Sequence, residues 1–389
     1  MVDMVKVVRL RRGAEKQVLN GLLTIYSKWI EDDGGADPGE DIILVDSRRK
    51  TLGIGFYEGI GAVGVRLLKI GTEEDVADII RRNILYAYRK REFYPFDSKR
   101  IVNADADYLP GLIIDLYRDT AVIQSSSIGI DNRLDLIAMT LRRSGIANYV
   151  YVRNDQRSRM EVGLERWRGW LLKGDETVLT IREGKAIFKV DIEEGQKTGF
   201  YLDQRINRLE AGLYSGNRRI LDLYSYTGGF GVQALVNNAK KTVFVEETPR
   251  SIELLYENLK INNVLERAEV YEGRVEKFLE ESKEKFDVII SDPPALVQNR
   301  DNLERGVNKY RGILGDIVKH VSRGILFVSS CSYFITQEIL KKEVIDKVLD
   351  ESRRRYSYLG MVRGAAPDHM HRSIDKELRY LKGYFIYIH

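Results

Sequence analysis

Apolar and polar positions alternate in two rhythms along this chain. Over residues 1–70 the apolar runs are short and end at glycine, aspartate or basic pairs. "DIILVDS" (41–47), "TLGIGFYEG" (51–59) and "GAVGVRLLKI" (61–70) read as β-strands, and "DDGGADPGED" (32–41) reads as a long turn. This pattern predicts a small barrel. "GTEEDVADIIRRNILYAYRKRE" (71–92) changes to helical spacing, with an acidic start and a basic end. "LPGLIIDLY" (109–117) and "TAVIQSSS" (120–127) then read as paired strands. "DNRLDLIAMTLRRSG" (131–145) reads as a helix closed by Gly145, and "NYVYVRND" (148–155) as a further strand. Residues 71–177 are therefore expected to form an α+β middle domain.

From residue 178 strands and helices alternate. "VLTIREGKAIFKVDIEEG" (178–195) predicts a hairpin. Strands are expected in "RILDLYSYTGG" (219–229), "KTVFVEET" (241–248) and "AEVYEG" (268–273), each followed by a helix. "FDVIISDPP" (286–294) and "RGILFVSSCS" (323–332) are continuous apolar runs, the mark of strands buried on both faces. A helix over 337–353 and a last strand over 379–389 complete the pattern. The fold class is α/β: a Rossmann-like, doubly wound sheet over 178–389, preceded by the barrel and the α+β domain.

Composition narrows the setting. The 389 residues have room for two or three domains, and 43% hydrophobic with 31% charged residues is ordinary for a globular chain. No apolar run approaches a membrane span of about 18 residues, so no membrane is expected as a partner. "MVDMVKVVRLRRG" (1–13) lacks an apolar signal core, and the expected location is cytoplasmic. A single Cys forms no internal disulfide, and with four scattered His it offers no zinc-ligand spacing. The net charge of +4 is mild. Local clusters say more: "RRNILYAYRKREF" (81–93), "LRRSGIANYVYVRNDQRSR" (141–159) and "ESRRRYSY" (351–358) set Arg and Lys beside tyrosines. Such clusters neutralise phosphates and stack on unpaired bases, or else form solvated helix faces. Residues 1–70 hold 11 Lys/Arg against 10 Asp/Glu, so an RNA contact there needs a local face rather than bulk charge.

In open α/β sheets ligands lie at the carboxyl ends of the strands. Four tips stand out. Gly228 and Gly229 in "LDLYSYTGGFG" (221–231) let backbone approach a ligand, although Tyr226 takes the place of the first glycine of a dinucleotide loop. Glu246 ends the second strand, where an acid accepts both ribose hydroxyls or, more simply, favours the helix start at Pro249. Asp292 precedes Pro293 and Pro294, which stiffen its turn. Cys331 ends the fifth strand. A free Cys is usually a small buried hydrophobe, but at this edge, opposite "DPP", it reads as a nucleophile.

These segments together resemble the S-adenosylmethionine-dependent cytosine methyltransferases of large-subunit ribosomal RNA that carry an N-terminal PUA domain. "GQKTGFYLDQR" (195–205) is similar to the family's signature, "SYTGGFG" (225–231) to its cofactor loop, "SDPPAL" (291–296) to its substrate-side loop and "SSCS" (329–332) to its nucleophile loop. "DYLPGLIIDLY" (107–117), "PDH" (367–369) and "YLKG" (380–383) match elsewhere, and "RLRRG", "PGE", "VDS" and "LGIGFY" resemble the PUA barrel, an RNA-binding module. The chain departs from the pattern at Arg274, where an adenine-contacting aspartate is common, and at "PDHM" in place of "DHP".

The resemblance implies S-adenosyl-L-methionine as cofactor, with Thr198, Phe200, Asp222, Tyr224, Ser225, Thr227, Gly228, Glu246 and Asp292 around it. It implies Lys197, Asp203, Pro293 and Pro294 on the target-base side, and Cys331 and Asp292 as catalytic residues. A thiolate adds to carbon 6 of cytosine, and carbon 5 then takes the methyl group. The target base must be unpaired or flipped out, and the expected partner is large-subunit rRNA. Alternatives stay open: a 5-methyluridine or base-nitrogen methyltransferase, or a non-catalytic RNA-binding or ribosome-assembly factor. A homodimer paired through an apolar face of the barrel is compatible with the sequence, which does not itself show one.

Overall fold

A computed structural model describes residues 5–71, 74–297 and 299–389. The chain forms two compact units. The first comprises residues up to Leu179 together with Asp191–Phe200 and Pro367–Asp375; the second comprises Thr180–Val190, Tyr201–Ala366 and Lys376–His389. No helix among the described residues is long and apolar enough to cross a membrane.

The first unit contains two sheets. One has six strands, including the expected Asp41–Val45, Thr51–Tyr57 and Val63–Ile70. Its other strands are Lys6–Leu10, Thr24–Tyr26 and Ile30–Asp32, and the last two are too short to show alternation in sequence. The second sheet has five strands, with Leu112–Tyr117, Thr120–Ser125 and Tyr149–Asn154 at its centre. The helix expected over 71–92 runs Val76–Arg89, capped by the Asp75 carboxylate, which accepts from the Asp78 amide. Thr72 and Glu73, within that expectation, lie outside the described residues. Strand Ser98–Asn103 escapes pattern reading because two of its buried residues are charged. Arg100 forms a bidentate pair with Asp115, at 2.8 and 2.9 Å, inside this sheet.

The basic clusters divide. On helix Val76–Arg89 the spacing sets Arg82, Tyr86 and Arg89 on one exposed stripe, with Phe93 following in the next turn. In the 141–159 cluster, by contrast, Arg153 and Arg159 are buried. Arg153 donates to the carbonyls of Ile192 and Gly195, and Arg159 pairs with Asp131. In the 351–358 cluster Tyr356 and Tyr358 both donate to Asp346, so their rings are engaged within the second unit. The "PDH" segment is a clamp in the first unit. Asp368 accepts from the Arg100 amide and from His369 Nδ1, and its carbonyl accepts from Arg91.

The second unit is built on a seven-stranded sheet: β1 (Arg219–Leu223), β2 (Lys241–Glu246), β3 (Ala268–Glu272), β4 (Phe286–Ser291), β5 (Val321–Ser330), β6 (Tyr356–Tyr358) and β7 (Lys382–Ile388). Their order is β3-β2-β1-β4-β5-β7-β6. β1 to β5 are parallel, and β7 enters antiparallel between β5 and β6. The sheet and its helices share one large apolar core, from Leu221 and Val245 through Ile289 and Leu326 to Ile386. Helix Leu303–Val318 lies in a stretch with no sequence expectation, since Gly306, Gly312 and Gly315 dilute its helical signal. The helix expected over 337–353 starts with wider turns, Ile339–Asp346, before Lys347–Glu351.

A buried charge holds the hairpin (Val178–Glu183 and Ala186–Asp191) to the helices beside it. Fully buried Glu183 takes Arg208 Nε at 2.8 Å, Arg208 Nη2 at 2.7 Å and Arg205 Nε at 3.0 Å. Its carbonyl accepts from Gln233, on the helix that follows β1. The two guanidiniums hold the Glu183 carboxyl below the usual carboxylate range against the opposing effect of burial. Removing one partner of such a set strands the other charges without solvent. Glu183→Ala is therefore expected to lower stability by about 3–5 kcal/mol, read as a shift of the urea unfolding midpoint; an unchanged midpoint contradicts this role.

Candidate active site

Strand register brings the expected residues to one edge of the second unit's sheet. Leu223 of β1 pairs with Val245 of β2 and with Ser291 of β4, and Ser291 pairs with Val328 of β5. The residues one step further along are Tyr224, Glu246, Asp292 and Ser329, which thus form a single row across four strands.

The loop after β1 is held in a conformation that side chains rarely adopt. Tyr224 has φ 58°, Tyr226 φ 50° and Gly228 φ 84°. Tyr226, which stands where a dinucleotide loop has its first glycine, thus takes the left-handed geometry that a glycine would. Such outliers persist only where the surroundings fix them. Here the Ser225 amide donates to Val245 O, the Tyr226 amide to Glu246 Oε2 and Asn258 Nδ2 to Thr227 O. Tyr201 packs edge-on against Tyr226. At Gly228 a Cβ would lie 2.4 Å from Leu255 Cδ1, so both space and φ require glycine.

Three acids meet behind this loop. Asp222 is buried on β1 and accepts from the Gly231 amide at 2.8 Å. Burial, reinforced by the charges of Asp292 and Glu246, pushes its pKa up to about 7, although that amide bond works the other way. Glu246 is tied by two backbone amides, those of Tyr226 and Thr248. Glu246 thus organises the turn into helix Pro249–Ile261, as its simpler reading expects, while standing in the acid group. Among the described residues the buried hydroxyls of Tyr224 and Thr227 have no hydrogen-bond partner. An acid-rich site with unpaired hydroxyls suits a polar ligand that carries positive charge. S-Adenosylmethionine, a sulfonium with an amino group and a ribose, fits that description.

The β4 and β5 tips supply the other side. Ser329 Oγ donates to Asp292 Oδ1 at 2.5 Å. Pro293 is buried and Pro294 exposed. Cys331 is half-exposed, while Ser329, Ser330 and Ser332 around it are all buried. It is thus not a sealed packing residue. Tyr310, on helix Leu303–Val318, lies 2.9 Å from Ser330 Oγ. Burial raises the Tyr310 phenol, and the nearby charges of Cys331 and Asp292 add to this, opposed by bonds to Ser330 and Ser332. Lys382 at the start of β7 is also buried here and stands opposite Ser330 in register. Neither Tyr310 nor Lys382 was singled out from sequence. A lysine opening the apolar run "KGYFIYI" is the signal that marks the second.

The "GQKTGFYLDQR" segment divides between the units. Asp203 is in the second, where it accepts from the Tyr380 hydroxyl at 2.7 Å. Lys197, Thr198 and Phe200 are in the first. Thr198 Oγ1 donates to Asp115 at 2.7 Å and meets the Tyr117 hydroxyl, which also accepts from the Phe200 amide. Lys197 is left-handed at φ 53°, with its carbonyl accepting from Gln124. Arg274 is exposed and 3.6 Å from Glu276.

Comparison with known proteins places the chain in a family and a fold. Residues 8–69 match the model of a PUA-like domain, and residues 207–310 match the model described as conserved hypothetical protein 95. The chain is 35% identical over 92% of its length, and 91% of the other's, to a protein of Methanocaldococcus jannaschii provisionally named a ribosomal RNA large subunit methyltransferase. It is 33% identical to ribosomal RNA large subunit methyltransferase I of Tolumonas auensis, covering 97% of this chain and 98% of that one. Among solved structures, a provisionally named SAM-dependent methyltransferase from Streptococcus mutans is 20% identical, with a TM-score of 0.81 over 99% of this chain and all of that one. Another structure of a methyltransferase, complexed with SAH, has a TM-score of 0.82 at 20% identity over 99% of this chain and 100% of that one. These two share the fold. The sequence relatives thus match this chain over nearly its whole length, and the chain belongs to the ribosomal RNA large subunit methyltransferase I family.

Proposed function

We propose that this protein methylates carbon 5 of an unpaired cytosine in large-subunit rRNA, with Cys331 as the nucleophile. The observation that carries this reading is the half-exposed Cys331 at the tip of β5, next to Ser329, which binds Asp292 at the tip of β4. Nitrogen methylation needs no such thiol.

S-Adenosyl-L-methionine supplies, when bound, a methyl group made electrophilic by its sulfonium. Asp222, Tyr224, Ser225, Thr227, Gly228 and Glu246 are the residues assigned to hold it. Glu246 is the ribose acceptor, and the acid group complements the positive charge. The Cys331 thiolate adds to carbon 6 of the base, forming an Sγ–C6 bond and placing an electron pair at carbon 5. That pair forms the new C–CH3 bond as the methyl–sulfur bond breaks, leaving a neutral thioether. Asp292 then takes the carbon-5 proton. The returning pair restores the C5–C6 double bond and expels the Cys331 thiolate. Charge balances: thiolate and sulfonium enter, while thiolate and one proton leave. Pro293 and Pro294 stiffen the base-side turn. Asp203, Lys197, Thr198 and Phe200 are assigned to the base and cofactor by family resemblance. Residues 8–69 and the middle domain supply RNA binding. The exposed stripe Arg82, Tyr86, Arg89 and Phe93 is the face assigned to it, since Tyr86 and Phe93 are 64% and 67% exposed. We place this activity in the cytoplasm.

Cys331→Ala is expected to abolish methyl transfer to rRNA while leaving cofactor affinity within about threefold, a loss of less than 1 kcal/mol. RNA with 5-fluorocytosine at the target should trap the wild-type enzyme covalently, because fluorine cannot leave as a proton does. Full activity of the variant would favour nitrogen methylation. Tyr86→Ala combined with Phe93→Ala should weaken RNA binding by about 1–3 kcal/mol for each stacked base, with cofactor binding unchanged; equal RNA affinity removes this face from the reading.

Asp222 gives a pH test. Its folded pKa of about 7 lies above the ordinary carboxylate value of 3.8. Between those values the unfolded chain ionises and the folded one does not, so stability falls as pH rises through this window. Asp222→Asn should therefore stabilise the ligand-free protein at pH 8, by on the order of 3–4 kcal/mol, and not at pH 3.5. The same variant should bind S-adenosylmethionine more weakly at pH 8. Calorimetry measures both, and identical unfolding midpoints at pH 8 contradict the buried charge.

A further inference from the structure

Lys382 is a buried lysine that the chemistry above does not use. Its residue is 3% exposed, and its ammonium donates to the carbonyls of Ser332 and Tyr380, each at 2.6 Å. Ser332 directly follows Cys331, and Ser330, directly before it, is the cross-strand partner of Lys382. Tyr380 is fixed in turn through its hydroxyl on Asp203. The lysine is thus pinned on both sides, beside the one thiol of the chain. A buried ammonium without a carboxylate partner is costly. No carboxylate ion pair of Lys382 is found among the described residues, where its side chain meets only neutral carbonyls. The anion close enough to raise its pKa is Cys331.

We infer that Lys382 is a positioning residue that holds Cys331 as a thiolate. This rests on the proposed role of Cys331. The step is an ionisation: the thiol gives its proton to solvent, and the thiolate is retained by the neighbouring ammonium. Without a cation the site would do the opposite. Asp292 stands at the tip of the neighbouring β4, bonded by Ser329 two residues before Cys331, where its negative charge disfavours a second anion, and Tyr310 of helix Leu303–Val318 reaches Ser330 as a neutral phenol. Tyr384 on β7 donates to the Gln337 carbonyl, and Arg363, bridged to Gly383, is paired with Glu210. Lys382 is the ammonium that β7 places against the Cys331 loop, on the Ser332 carbonyl. Burial pulls its pKa down to about 8, with the Cys331 charge acting against that fall, so it still carries its proton at neutral pH.

Because Cys331 is the only cysteine, the rate of iodoacetamide alkylation as a function of pH reports on this thiol alone. The wild-type midpoint should lie at least one unit below that of the same chain in urea, where an ordinary thiol titrates near about 8.5. Lys382→Met should raise the folded midpoint by about one unit or more, and Lys382→Arg should keep it low. Coincident midpoints for folded and urea-unfolded wild type overturn the inference, whatever the variants do. So does a Lys382→Met midpoint equal to that of the wild type. The assay does not depend on methyl transfer. If Cys331→Ala stays active, the carbon-5 reading falls while alkylation still scores Lys382; if that variant is dead and the midpoints coincide, only the role of Lys382 falls.

Discussion

Parallel, in-register pairing of β1, β2, β4 and β5 is the constraint on which the candidate site depends. Side chains alternate across a strand, so a slip of one residue would turn Asp292 or the Cys331 loop to the other side of the sheet. The pairs Leu223–Val245, Leu223–Ser291 and Ser291–Val328 exclude that slip. Register is fixed by burial on both faces, where Leu223, Val245, Ile289 and Leu326 are all inaccessible. The core thus serves the chemistry by placing four strand tips in one row.

Charge is handled differently on the two sides of that row. Behind the β1 loop Asp222, Glu246 and Asp292 accumulate negative charge, and burial keeps the first of them near its neutral form until about pH 7. A cationic ligand relieves this repulsion. Beyond β4, the buried Lys382 ammonium lies on the carbonyl of Ser332, next to the thiol. Deeper in the same unit Glu183 is matched by two arginines, so that charge is internally satisfied and structural. The contrast separates the two kinds of buried acid: Glu183 has its cations built in, whereas Asp222 faces other acids.

The basic, tyrosine-rich clusters show why composition alone misleads about RNA contacts. All three read alike in sequence. Helix Val76–Arg89 leaves Arg82, Tyr86 and Arg89 exposed as a stripe, because 3.6-residue periodicity puts Ile80, Ile84 and Ala87 on the opposite, buried face. Arg153 and Arg159 are instead consumed by backbone carbonyls and Asp131, contacts made across long separations in the chain.

The sequence by itself determined the alternation of strands and helices from residue 178, the strand tips, and the acids and thiol found on them. These are local properties: apolar runs, turn residues, and the rule that such sheets present their carboxyl ends to ligands. It also marked Gly228, whose left-handed φ and tight contact with Leu255 need a glycine. Only the tertiary structure decided what depends on contacts between distant segments. Tyr224 and Tyr226 are left-handed because β2 and Asn258 hold their loop. Thr198 is bound to Asp115 and Tyr117, residues far earlier in the chain. Lys382 stands beside Cys331 because β7 inserts antiparallel next to β5, a pairing between segments some fifty residues apart that no local pattern encodes.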